Sequence, residues 1–146
     1  MMMRTYSELI RLPTFQERFD YLKLNGAVAE QTFGSRRMLN QIFYATPEWK
    51  EARRKAVVRD LGNDLGLDGW PIMGRVYVHH MNPITVEDIL ERSPLLLDPE
   101  NLICCSDMTH KAITYGDLNL LPKAFKERTP NDTCPWRNGS LTGVIL

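Results

Sequence analysis

The chain has 146 residues, and 18 Lys and Arg balance 18 Asp and Glu to a formal net charge of zero. Apolar residues at 43% and charged residues at 25% are ordinary for a soluble globular protein, and this length fits one compact domain with a core that needs no staple. Taken alone, zero net charge argues against a nucleic-acid partner, because phosphate binding usually leaves a basic footprint.

Elements follow in chain order. Thr14-Phe-Gln-Glu17 is a capping box, and Phe15, Phe19 and Leu22 recur at helical spacing before Gly26, which predicts a helix over 14–25. Ser35 can cap a second helix presenting Leu39, Ile42 and Phe43. Thr46-Pro47-Glu48 is a helix start with Pro at the first helical position, and Trp49, Ala52, Ala56, Val57 and Leu61 form its stripe up to Gly62. Residues 62–74 hold four glycines and a proline and read as turns. Val76 and Val78 alternate with Tyr77 and His79, predicting a strand within 75–84. A long connection over 85–100 carries a short helix near 86–92, and 101–105 is a second strand. Ser106 caps a helix with Met108, Ala112 and Ile113 as its apolar positions, ending at Tyr115-Gly116. After Asp117 no long period remains, so 117–146 reads as an arm or tail.

Three cysteines, two of them adjacent at 104 and 105, make no disulfide framework and no C-x-x-C pair. A reducing, cytoplasmic location is expected, and Cys104 and Cys105 read as strand residues, at least one of them buried. The first residues lack the apolar stretch of a signal peptide, and no run approaches the ~20 residues of a membrane span. Asp60, Asp64 and Asp68 lack the glycine and glutamate of a calcium loop and read as turn-forming.

All three histidines fall between 79 and 110. Adjacent strand side chains point to opposite faces, so His79 and His80 serve different jobs: one can ligate a metal while the other faces a substrate. His110, on the following helix, can complete a metal site with His79. Two imidazoles leave open positions for water or a substrate oxygen.

The residues Val78-His-His-Met-Asn-Pro-Ile84, Asp98-Pro-Glu-Asn-Leu-Ile-Cys-Cys105 and the helix bearing His110 resemble the HNH nucleases of the ββα-metal type. Trp49, Arg53, Arg59 and Asp60 match the lead-in helix of many members, and the chain as a whole is similar to small phage and prophage HNH proteins. The resemblance implies an α+β fold: a helical N-terminal portion over 1–48, an HNH core with its lead-in helix over 49–116 and a C-terminal arm over 117–146. It implies a metal-dependent, phage-type endonuclease that hydrolyses DNA phosphodiesters in the host cytoplasm. His79 and His110 would ligate one divalent ion (Mg, Mn, Ni or Zn), His80 would be the general base, and Asn101 would tie the long loop to the strand and hold His80 in register. DNA is the implied substrate and the genome-packaging terminase a candidate protein partner. The alternative is an HNH-fold nucleic-acid- or terminase-binding module that does not cleave.

Two departures from the family stand out. Many members carry a further ligand four residues after the last histidine, where this chain has Thr114. Many also hold a four-cysteine zinc site, whose first pair should fall near 61–64, here Leu-Gly-Asn-Asp. The zero charge is a cancellation. Residues 35–59 carry net +5, from Arg36, Arg37, Lys50, Arg53, Arg54, Lys55 and Arg59 against Glu48 and Glu51, and residues 60–101 carry net −6. Beside an HNH motif, Arg53, Arg54, Lys55 and Arg59 become candidate phosphate contacts.

Overall fold

The computed structural model describes residues 3–24 and 37–122. It begins with a single turn, α1 (Tyr6–Leu9), too short for any hydrophobic period to announce and capped by Thr5. The Thr14 capping box forms as its spacing predicts, opening α2 (Phe15–Leu22), which buries Phe15, Phe19 and Leu22. α2 ends three residues before the expected 25, because Lys23 turns extended and the Leu24 N–H donates to the Ile113 carbonyl at 2.8 Å. Ser35 and Gly26 lie outside the described residues.

In α3 (Arg37–Tyr44) only Phe43 is buried, and Ile42 faces outward. This two-turn helix touches the helices Pro47–Asp60 and Val86–Leu90, and of the expected three-residue face Leu39 is only half-buried. Thr46 caps α4 (Pro47–Asp60), with Pro47 in the first turn, and Trp49, Ala56 and Asp60 are buried. Leu61 does not join this stripe. It takes the left-handed cap conformation (φ 55°), which swings its side chain into solvent at 79% exposure.

After a 3-10 turn at Asp64–Gly66 come β1 (Tyr77–His80), α5 (Val86–Leu90), 3-10 turns at Pro94–Leu96 and Pro99–Asn101, β2 (Leu102–Cys105) and α6 (Asp107–Tyr115). β1 and β2 pair antiparallel with Tyr77 opposite Cys105 and His80 opposite Leu102. Both strands are shorter than predicted. Asn101, expected in the second strand, lies in the preceding turn, where its side chain is engaged across the connection. Ser106 caps α6 and Gly116 closes it in the left-handed conformation. Met108, expected inward, is 51% exposed: the buried face is set by Thr109, Ala112 and Ile113, and the Thr109 hydroxyl is anchored to Asp64 Oδ2 at 2.7 Å.

The fold is therefore mixed α+β around a small antiparallel sheet. The sheet separates two apolar clusters. On one side lie Leu9, Phe19, Leu22, Leu65, Met81, Ile103, Cys105, Ala112 and Ile113. On the other lie Phe43, Trp49, Ala56, Leu96, Leu102 and Cys104. Both strand cysteines are free and fully buried. Among the described residues no helix is long and apolar enough to cross a membrane.

Candidate functional site

The period of two in β1 puts Tyr77 and His79 on the face toward α6, and Val78 and His80 on the face toward α4. His110, on the first turns of α6, meets both residues of the first face. Its ring stands edge-on to His79 with centroids 5.4 Å apart, and it stacks on Tyr77 at 5.5 Å and 7°. His79 is buried, and its Nε2 is the one buried side-chain polar atom without a hydrogen-bond partner among the described residues. Such an atom costs roughly 1–3 kcal/mol unless something binds it. Burial first, then the neighbouring imidazoles, holds His79 well below the ordinary histidine range, so its ring is neutral. Burial also lowers His110, against the opposing pull of Asp107.

His80 lies on the opposite face in an aromatic nest. Its ring stacks on Trp49 at 5.2 Å, with Phe43 at 6.2 Å and Tyr44 at 6.4 Å. His80 Nε2 lies 2.9 Å from the Leu96 carbonyl. A carbonyl only accepts, so Nε2 carries the proton, and in the neutral ring Nδ1 is the bare nitrogen. Burial lowers the His80 pKa, partly offset by this hydrogen bond.

Asn101 links the strand end to the connection. Its Oδ1 accepts from the Asn82 backbone N–H at 2.8 Å and from Asn82 Nδ2 at 2.7 Å, while its Nδ2 donates to the Leu95 carbonyl at 3.0 Å. The neighbouring carbonyl, Leu96, is the one that orients His80. Asn101 is thus joined to His80 only by way of the 94–96 turn. Asn82, unassigned in the sequence, completes the link: its Oδ1 accepts the Arg4 N–H and its Nδ2 donates to the Arg4 carbonyl, both at 2.8 Å. The only signal for it was a second amide residue just beyond the paired histidines.

The basic residues of α4 divide. Arg53 Nη2 donates to the Val76 carbonyl at 2.6 Å. Arg59 pairs with Asp60 at 2.8 Å, donates to the Pro99 and Leu102 carbonyls and lies over the Tyr6 ring at 3.7 Å. These two are structural cross-links. Arg54 and Lys55 are exposed, Arg54 in a surface pair with Glu51. Asp60 and Asp64 do more than form turns. Asp60 Oδ2 accepts the Cys104 N–H at 3.0 Å, and Asp64 Oδ1 accepts the Ser106 N–H at 3.1 Å; Asp68 is exposed. A groove of about 730 Å³ beside α4 is lined by Glu48 and Glu51 as well as Lys55 and Arg59, and no histidine lines it.

No protein-family model, curated protein or solved structure matches this chain.

Chemically, the His79–His110 pair fits a divalent ion. Two imidazoles on one tetrahedral ion, each nitrogen about 2.0–2.1 Å away, have ring centres roughly 5 Å apart; the observed centres are 5.4 Å apart. Neutral rings and an unsatisfied buried nitrogen suit a metal ligand better than a hydrogen-bonded core role. Among the described residues no third His, Cys, Asp or Glu joins them, and Thr114, one turn beyond His110, is half-buried.

Proposed function

We propose that the chain is a metal-dependent nuclease of the HNH type that hydrolyses DNA phosphodiesters. The observation that carries this reading is the split across β1: His79, with an unsatisfied Nε2 and its ring 5.4 Å from that of His110, on one side, and a His80 with one committed and one bare nitrogen on the other. The order of strand, long connection, strand and helix supports it, as does the Asn101 link between connection and strand.

In this reading His79 and His110 hold one divalent ion of Mg, Mn, Ni or Zn. When bound, it supplies positive charge to the scissile phosphate and the leaving 3′ oxygen. His80 Nδ1 takes the proton of the attacking water, and a pKa held below the ordinary value keeps that nitrogen free at neutral pH. The Leu96 carbonyl fixes the tautomer, Asn101 fixes the turn carrying that carbonyl, and Trp49 holds the ring plane.

A second reading, an HNH-fold module that binds nucleic acid or the terminase without cutting, is favoured by two features. The ion would have two protein ligands among the described residues, and His80 is only 6% exposed. Conversion of supercoiled plasmid to open-circular or linear DNA in Mg²⁺, Mn²⁺, Ni²⁺ or Zn²⁺ separates the two. The nuclease reading expects cleavage in at least one metal and its loss in His80→Ala. Equal background for both proteins in every metal refutes it.

A further inference from the structure

The strand face that carries His79 continues outward to a residue with no assigned role. Tyr77 and His79 share one face of β1, and Arg75 lies two residues before the strand begins. The Arg75 guanidinium lies 5.0 Å from the Tyr77 ring centre, and the same ring stacks on His110 at 5.5 Å. Laid end to end, those separations put the guanidinium no farther than about 10.5 Å from the His110 ring. Arg75 is exposed, and among the described residues no carboxylate pairs with it. By contrast, Arg53 gives Nη2 to a backbone carbonyl, and Arg59 divides its donors between two carbonyls and the Asp60 carboxylate.

We propose that Arg75 anchors a nucleic-acid phosphate beside the His79–His110 pair, with Tyr77 as its support. An arginine held against an aromatic ring keeps its planar fork of donors free and loses less freedom on meeting a phosphate than an unsupported one. Tyr77 touches both the guanidinium and His110, so it fixes the spacing between the anchor and the metal-ligating pair. The inference rests on the nuclease reading for what the anchored phosphate is for, but it makes its own claim about binding.

The test is fluorescence anisotropy of a labelled 20-base-pair DNA duplex with the full chain in EDTA, over a salt series. Arg75→Gln is expected to weaken binding several-fold and to lower the slope of log affinity against log salt by about one, as loss of one phosphate contact does. Arg75→Lys is expected to keep the slope, and Tyr77→Leu to bind with intermediate affinity. Arg11→Gln removes one exposed charge elsewhere and is expected to change both quantities less. The proposal is overturned if Arg75→Gln falls no further than Arg11→Gln, or if the wild type does not bind the duplex. Tyr77→Leu matching the wild type overturns the supporting role. Ni²⁺ calorimetry on the same proteins reads the metal pair separately: heat lost in His79→Ala but kept in Arg75→Gln is expected. Absence of heat in the wild type overturns the metal reading, and the salt slope still decides Arg75.

Discussion

Asn101 is where the fold and the proposed chemistry meet, and two substitutions test the role given to it. Its side chain satisfies the Asn82 N–H, one amide hydrogen of the Asn82 side chain and the Leu95 carbonyl, at 2% exposure. Asn101→Ala strips all three and leaves a buried backbone N–H with no acceptor. One such N–H costs roughly 1–3 kcal/mol and an under-satisfied carbonyl about 1 more, so a loss of about 3 kcal/mol is expected. For a chain of this size that is a drop of about 10 °C in melting temperature. Asn101→Asp is nearly isosteric and keeps the oxygen that serves Asn82, but it turns a second oxygen toward the Leu95 carbonyl, lone pair against lone pair. At pH 7 it is therefore expected to be less stable than Asn101→Ala. Protonation lets the acid donate to Leu95, so its folded-state pKa is raised. Its stability is then greatest below the unfolded value and is lost as pH rises through the folded one. Denaturant titrations of both variants at pH 5 and pH 7 check this, with the gap narrowing at the lower pH. An aspartate variant as stable as wild type at pH 7 would refute the Leu95 bond and with it the link from Asn101 to His80.

Three further outcomes follow from the packing. Gly116 has φ +65° and an added Cβ would meet the Leu24 carbonyl oxygen at 2.4 Å, whereas Gly62, at φ +69°, faces open space. Gly62→Ala is expected to cost about 1 kcal/mol from backbone strain alone, and Gly116→Ala clearly more; equal melting temperatures for the two would refute the close approach of α2 and α6. Burial raises the Asp64 pKa above the ordinary carboxylate value, so its contribution is greatest below the unfolded pKa near 3.8 and is lost as pH rises through the folded value. The stability of Asp64→Asn relative to wild type should therefore increase from pH 4 to neutral, as read by denaturant titration, and a decrease would contradict the assignment. Burial pushes the Cys104 thiol up to about 12 and raises Cys105 as well. In a Cys134→Ser background neither should react with a disulfide reagent at pH 8 until the chain is denatured, and one fast native equivalent would show that the strand is not closed.

What the sequence made legible was local. Thr14 with Glu17, Thr46 with Pro47 and Ser106 each mark a helix start, because a cap and its amide lie within three residues. The opposite orientation of His79 and His80 follows from a period of two and needs no tertiary knowledge. Long-range partners were not legible. A charge tally ranks Arg59 with Lys55, but the Pro99 and Leu102 carbonyls that occupy Arg59 lie about 40 residues away in the chain. Asp60 and Asp64 looked like turn formers for the same reason: the amides they serve belong to β2 and to the start of α6. Leu61 and Met108 fit an apolar period and yet point outward, since one occupies a left-handed cap and the other precedes the face fixed by Thr109. Asn82 carries a link as large as that of Asn101, but an amide residue after a strand has no periodicity to betray it.

The two faces of β1 belong to different neighbourhoods: Tyr77 and His79 look into the cluster of α1, α2 and α6, and Val78 and His80 into the cluster of α3, α4 and the 94–96 turn. Substitutions that loosen the first cluster should therefore disturb the imidazole pair while sparing the orientation of His80, and the reverse holds for the second. The two clusters have no residue in common, and substitutions that share no partner tend to add. On the proposed nuclease reading, ion affinity and proton transfer would then be properties that can drift, be selected or be redesigned one at a time, with a four-residue strand as their shared boundary.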